Sequence, residues 1–107
     1  MGNDKMIYIL VKKFNESYDS LPDEYRFIFD EVERFPTDIQ FYQRTLETYL
    51  NNADEEFDKF VFNGPAWLIA LAGYHWFSNT ERKRFNVLQF NTHRCRYEEI
   101  QGEFDDY

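Results

Sequence analysis

SLPDEYRFIFDEVERFPT, residues 20–37, decides how the rest of the chain is assembled. Pro22 suits the first position of a helix, with Ser20 or Leu21 just before it. Asp23 and Glu24 would then sit favourably in the first turn. Tyr25, Ile28, Phe29 and Val32 recur at helical spacing and make one apolar stripe. Pro36 disfavours a helical residue before it, so the helix ends near Phe35. Advancing 100° per residue, Phe27 lands about 200° from Tyr25, off the stripe and beside Asp23, Asp30, Glu31 and Arg34.

The flanking segments read as helices from their own residues. Thr37 and Gln40 read as a capping box. Ile39, Tyr42, Leu46, Tyr49 and Leu50 form the next stripe, Phe41 falls off it, and Asn51-Asn52 closes it. Upstream, Ile7, Leu10, Val11, Phe14 and Tyr18 fit a helix over residues 4–18, capped by Asn3 or Asp4. A strand over residues 6–11 competes, because Ile7, Tyr8, Ile9 and Val11 also favour β structure. Residues 54–61 read as a short acidic helix with Phe57, Phe60 and Val61 inward.

Asn63-Gly64-Pro65 is a turn signal. Residues 66–77 are apolar almost all round, which marks a buried segment, and Trp67, Leu68, Leu71 and Trp76 place the centre of the fold there. Ser78-Asn79-Thr80 ends it and could cap a last helix. Beyond it, Phe85, Leu88, Thr92 and Cys95 share a helical face, while strands over 84–90 and 93–98 around Asn91-Thr92 fit nearly as well. The expected fold is mainly α: a compact bundle of about five helices, with a small β-hairpin near residues 84–98 as a variant. An α+β fold is the alternative. Residues 1–107 form a single domain, with 102–107 expected as a frayed acidic tail.

Twenty acids against twelve bases give a net charge of −8, which repels nucleic acid and anionic lipid at long range and attracts basic proteins. Cys95 is the only cysteine, so no disulfide forms within the chain. Met1-Gly2-Asn3-Asp4 does not read as a secretion signal, and Met6 stands where a myristoylation motif would carry Ser or Thr. The longest apolar run is too short to span a bilayer. The expected location is the cytoplasm, with no membrane partner.

The charge is concentrated. Residues 14–58 hold thirteen acids and only Arg26, Arg34 and Arg44 as bases, among many rings. A disordered acidic tail would lack those rings. Ordinary surfaces intersperse both signs, so one-signed crowding on a folded domain points to a recognition surface. Asp23, Phe27, Asp30, Glu31, Phe41, Asp54, Glu55, Glu56 and Asp58 are the candidate partner-binding residues, with Phe27 and Phe41 as aromatic anchors ringed by charge. The competing reading buries these rings within the chain or between two copies.

Arg82, Lys83, Arg84, Arg94 and Arg96, interleaved with Phe85, Phe90, His93 and Tyr97, form a second patch. It could grip single-stranded nucleic acid or a second partner. Neutralisation of the protein's own acids is the favoured reading, because overall repulsion works against direct nucleic-acid binding. His75, His93 and Cys95 match no zinc spacing and read as a core histidine and a buried cysteine. No catalytic residue, metal ligand or cofactor is assigned.

With small size, no catalytic motif, and acidic clusters such as Asp30-Glu31 and Asp54-Glu55-Glu56, the chain resembles small acidic inhibitors encoded by phages and mobile elements. These include anti-CRISPR proteins and DNA mimics. The resemblance implies a non-enzymatic inhibitor of a nuclease or other nucleic-acid-binding protein or ribonucleoprotein, acting in the host cytoplasm by covering a basic cleft. Competing functions are a homo-oligomerising adaptor and a nucleic-acid-binding module that uses residues 82–96.

Overall fold

In the computed structural model, residues 6–13, 18–21, 24–54, 58–79 and 84–103 are described. The chain is an α/β protein built on one sheet. β1 (Ile7–Val11) and β2 (Tyr25–Phe29) come first, followed by α1 (Ile39–Asn52), β3 (Lys59–Val61) and α2 (Ala66–Tyr74). A π-helical turn (His75–Asn79) extends α2, and β4 (Arg84–Asn91) and β5 (Arg96–Glu103) end the described chain. The strand order is β2-β1-β3-β4-β5. The first four strands run parallel to their neighbours, and β5 returns antiparallel to β4.

The mainly-α bundle expected from the stripes is therefore corrected, and the reversal starts in the opening stretch. Residues 25–29 are a strand whose register pairs Ile7 with Tyr25 and Ile9 with Phe27. Tyr-Arg-Phe-Ile-Phe is nearly all aromatic or β-branched, the side chains that fit a pleated surface. The helical stripe rested on Tyr25, Ile28 and Phe29, which a strand accommodates equally well. Phe27 distinguishes the two: a helix strands it in solvent, whereas here it is half-buried against Tyr18 and Tyr25. Residues 7–11 likewise form the competing strand and not a helix. Their unbroken apolar run suits a parallel strand covered on both faces. Of the acidic helix expected over 54–61, residues 59–61 form β3 instead, with Phe60 and Val61 buried as expected, while Phe57 lies outside the described residues.

The carboxyl-terminal hairpin is present and longer than expected, and Gly102 and Glu103 belong to β5, not to a tail. Asn91 shapes its turn by accepting from the N–H groups of His93 and Arg94 (2.9 and 3.2 Å). Cys95 closes it with a positive φ of 52° and is exposed, where the sequence suggested burial. α1 starts one residue later than the capping-box reading: Asp38 caps it, accepting from the Phe41 N–H (3.2 Å).

Connections occupy both faces. α1 and α2 cover one face, where Tyr42, Leu46, Leu50, Leu68, Ala72 and Trp76 pack on Leu10, Ile28 and Phe60. Trp76, expected at the centre, is 2% exposed, stacks edge-on against Phe60 and donates Nε1–H to the Arg84 carbonyl (2.7 Å). Leu68 is buried too, while Trp67 and Leu71 are half-buried. On the other face Tyr18 and Leu21, from the β1–β2 connection, pack with Ile7, Ile9, Val61 and Leu88. Travel from β1 to β2 runs opposite to travel from β2 to β3 and from β3 to β4. Crossovers of one hand then put the first connection on the opposite face from the helices.

The order reverses between β1 and β3, and Asn63 bridges that point. Its Oδ1 accepts from the Val11 N–H and its Nδ2 donates to the Val11 carbonyl, both at 2.8 Å. Gly64 then turns with φ of 101°, and a Cβ there would meet Val11 Cγ2 at 2.8 Å.

Candidate functional site

Four strands end on one edge of the sheet, so their following loops line up there: Asp30–Asp38 after β2, Lys12-Lys13 after β1, Phe62–Pro65 after β3, and the hairpin turn after β4. Open α/β sheets place recognition loops on this edge. Because β2 is an outer strand, its acidic loop occupies a corner.

The loop is braced from below. The Glu33 N–H donates to the Tyr42 hydroxyl (3.0 Å), and the Thr37 N–H donates to Glu33 Oε2 (2.9 Å). Trp67 reaches over from α2 and donates Nε1–H to the Arg34 carbonyl (3.1 Å). Under the loop the rings of Phe29, Phe41, Tyr42 and Trp67 form a continuous chain of contacts, with successive centroids 6.3, 5.2 and 5.0 Å apart. Glu33 and Asp38 spend their carboxylates on this local structure. Asp30 and Glu31 do not: both are exposed, and neither has a hydrogen bond or ion pair among the described residues.

Three apolar side chains emerge beside these carboxylates. Phe35 is 80% exposed, Phe41 54% and Ile39 42%. The Arg34 guanidinium lies 5.7 Å from the centroid of the Phe35 ring.

The remaining candidates fall elsewhere. Phe27 sits on the sheet face away from the helices, under Lys12 Nζ (5.6 Å from its centroid). Asp54 and Asp58 lie beyond the far end of α1, about 20 Å from its start for fourteen residues at 1.5 Å each. The acids of residues 14–58 are therefore not one array. Nor are the helices acidic: the outer face of α1 shows Gln40, Gln43, Arg44, Glu47, Thr48 and Asn51, and α2 carries no charge.

Asp58 is 6% exposed and structural. Its Oδ1 accepts from the Met6 N–H (3.1 Å) and its Oδ2 from the Asp54 N–H (2.8 Å), tying the start of β1 to the turn before β3. Asp23, Glu55, Glu56, Arg82 and Lys83 lie outside the described residues.

The basic patch is partly answered by the protein's own acids. Glu98 Oε1 faces Arg94 (3.4 Å) and Arg96 (3.7 Å), and Lys59 pairs with Glu99 (3.0 Å). Arg84 is exposed at the opposite end of β4 from these two arginines. His75 is buried in the π-helical turn. Among the described residues no group of three His, Cys, Asp or Glu is arranged to hold a metal, and no helix is long and apolar enough to cross a membrane.

The residue missed in the sequence is Phe35. Read as the last residue of a helix, it looked incidental. Its signal was that Pro36 removes it from any helix while no apolar stripe claims it.

No protein-family model matches the chain. No curated protein and no solved structure matches it either.

Proposed function

We propose that this protein is a non-enzymatic inhibitor that seats the acidic, ring-bearing corner of its sheet on the basic cleft of a nuclease or other nucleic-acid-binding protein. The observation that supports it is the pairing of Asp30 and Glu31, whose carboxylates have no partner among the described residues, with exposed Phe35 and Phe41 on one braced loop and the helix start behind it. Negative potential steers a basic partner and speeds association. Exposed rings that become buried slow its escape. The net charge of −8 works against direct binding of nucleic acid, and the hairpin arginines already share Glu98. The host cytoplasm, where such targets act, is the location this reading carries.

The test is displacement of a labelled oligonucleotide from basic nucleases and nucleic-acid-binding proteins across a salt series from about 50 to 500 mM, a range over which screening shortens severalfold. Displacement should weaken steeply with salt, and the double reversal Asp30→Lys with Glu31→Lys should weaken it roughly tenfold at low salt, as for about 1.4 kcal/mol of lost steering and contact. Displacement that ignores salt and the reversal alike would contradict the reading.

A further inference from the structure

We infer that Phe35 is the central anchor of this surface, and that the partner it fits is a basic protein face with an apolar socket rimmed by lysine or arginine. This rests on the docking reading above and specifies which ring does the holding. Among the described residues Phe35 is the most exposed large hydrophobic side chain, at 80%. A lone exposed ring on a mobile tip would be a poor anchor, because ordering it on binding costs free energy. Here the backbone on both sides is already fixed: the Arg34 carbonyl by Trp67, the Thr37 N–H by Glu33, and the Glu33 N–H by Tyr42. Pro36 restricts the Phe35 backbone further. The backbone that carries the ring is thus held in place, and the residue is largely in solvent.

Its surroundings select the partner. Phe41 and Ile39 are exposed on the first turn of α1, and residues 30–38 carry exposed Asp30, Glu31, Glu33 and Asp38 against one cation, Arg34, whose guanidinium lies 5.7 Å from the Phe35 ring centroid. A neutral apolar partner would leave those carboxylates desolvated without compensation. A polycation without a socket would leave the rings in water. A cleft with cationic rims and an apolar floor satisfies both.

Two synthetic helical peptides serve as probes, each with the same number of arginines: one has a leucine stripe flanked by arginine, the other has serine in place of leucine. Binding is read by fluorescence anisotropy at low salt. Wild type should bind the leucine peptide more tightly than the serine peptide. Phe35→Ala should remove most of that difference, roughly tenfold in affinity for one buried ring, and leave serine-peptide affinity unchanged. With Phe35 80% exposed, the variant should keep the wild-type melting temperature. Phe41→Ala should cost less.

If Phe35→Ala binds both peptides as wild type does while Glu31→Lys weakens both, the anchor is wrong and the electrostatic reading survives. If Glu31→Lys changes neither affinity, the reading beneath it fails. No preference of wild type for leucine over serine, or a homodimer that Phe35→Ala dissolves, overturns the inference.

Discussion

Replacing Asn63 by alanine should destabilise the protein by about 2–4 kcal/mol. The side chain makes two 2.8 Å hydrogen bonds to one residue, accepting from the Val11 N–H and donating to the Val11 carbonyl. Each contributes roughly 0.5–1.5 kcal/mol net, and a group left unpaired away from water costs about 1–3 kcal/mol. Val11 is only 5% exposed, so water replaces the lost partner poorly. A chain of this size has roughly 5–15 kcal/mol to lose, and each kcal/mol shifts its midpoint by about 4–8 °C. The melting temperature should therefore fall by about 10–25 °C. Urea unfolding followed by circular dichroism gives the free energy directly, with an unchanged slope showing that the same surface unfolds. Asn63→Asp keeps one acceptor but sets a carboxylate against the Val11 carbonyl, so it should recover less than half the loss. A change below about 0.5 kcal/mol in Asn63→Ala would refute the claim that this bridge holds β1 and β3 together.

Asp58→Ala should cost about 2–4 kcal/mol in urea, through loss of two carboxylate-accepted hydrogen bonds, while the folded variant binds the arginine–leucine peptide as wild type does. Weaker peptide binding at intact stability would return Asp58 to the binding surface. Tyr8 ionises above its usual 10, first because burial disfavours the phenolate and next because Asp58 lies near. A raised folded-state value favours the neutral ring, so its stabilisation is complete below pH 10 and is lost as pH rises past that point. Tyr8→Phe should therefore lose less stability than wild type on alkaline titration. Parallel losses in the two proteins would argue against it.

What was legible in the sequence was mostly local. α2 could be seen as an apolar segment, although it is not buried all round, since only Leu68 and Ala72 are buried and Tyr74 is 64% exposed; α1 could be seen because Tyr42, Leu46 and Leu50 keep helical period over a long stretch. The hairpin showed as a competing pattern, since Asn91-Thr92 is turn chemistry. β1 showed only as the competing strand over residues 6–11, and β2 was hidden, because five residues give a helix and a strand nearly the same apolar count. Only the pairing of Ile9 with Phe27, eighteen positions apart, settles between them. That pairing also explains the ring that no helix could place. Asp30, Glu31 and Phe41 were readable as exposed chemistry, and they do lie near one another. Asp58 looked like its acidic neighbours, and its partner Met6 is fifty-two residues away. Phe35 was lost because its proposed role depends on the brace that Trp67 gives the carbonyl of Arg34, thirty-three residues before it.

The most direct measurement is a nuclear magnetic resonance map of the labelled protein titrated with a basic nuclease chosen by the displacement assay. The account predicts that amide signals perturbed at low salt cluster on residues 30–41, with Phe35 and Phe41 ring signals losing mobility, and that the pattern fades as salt is raised. Perturbations centred instead on the β4–β5 hairpin or near Asp54, with residues 30–41 unmoved, would contradict it.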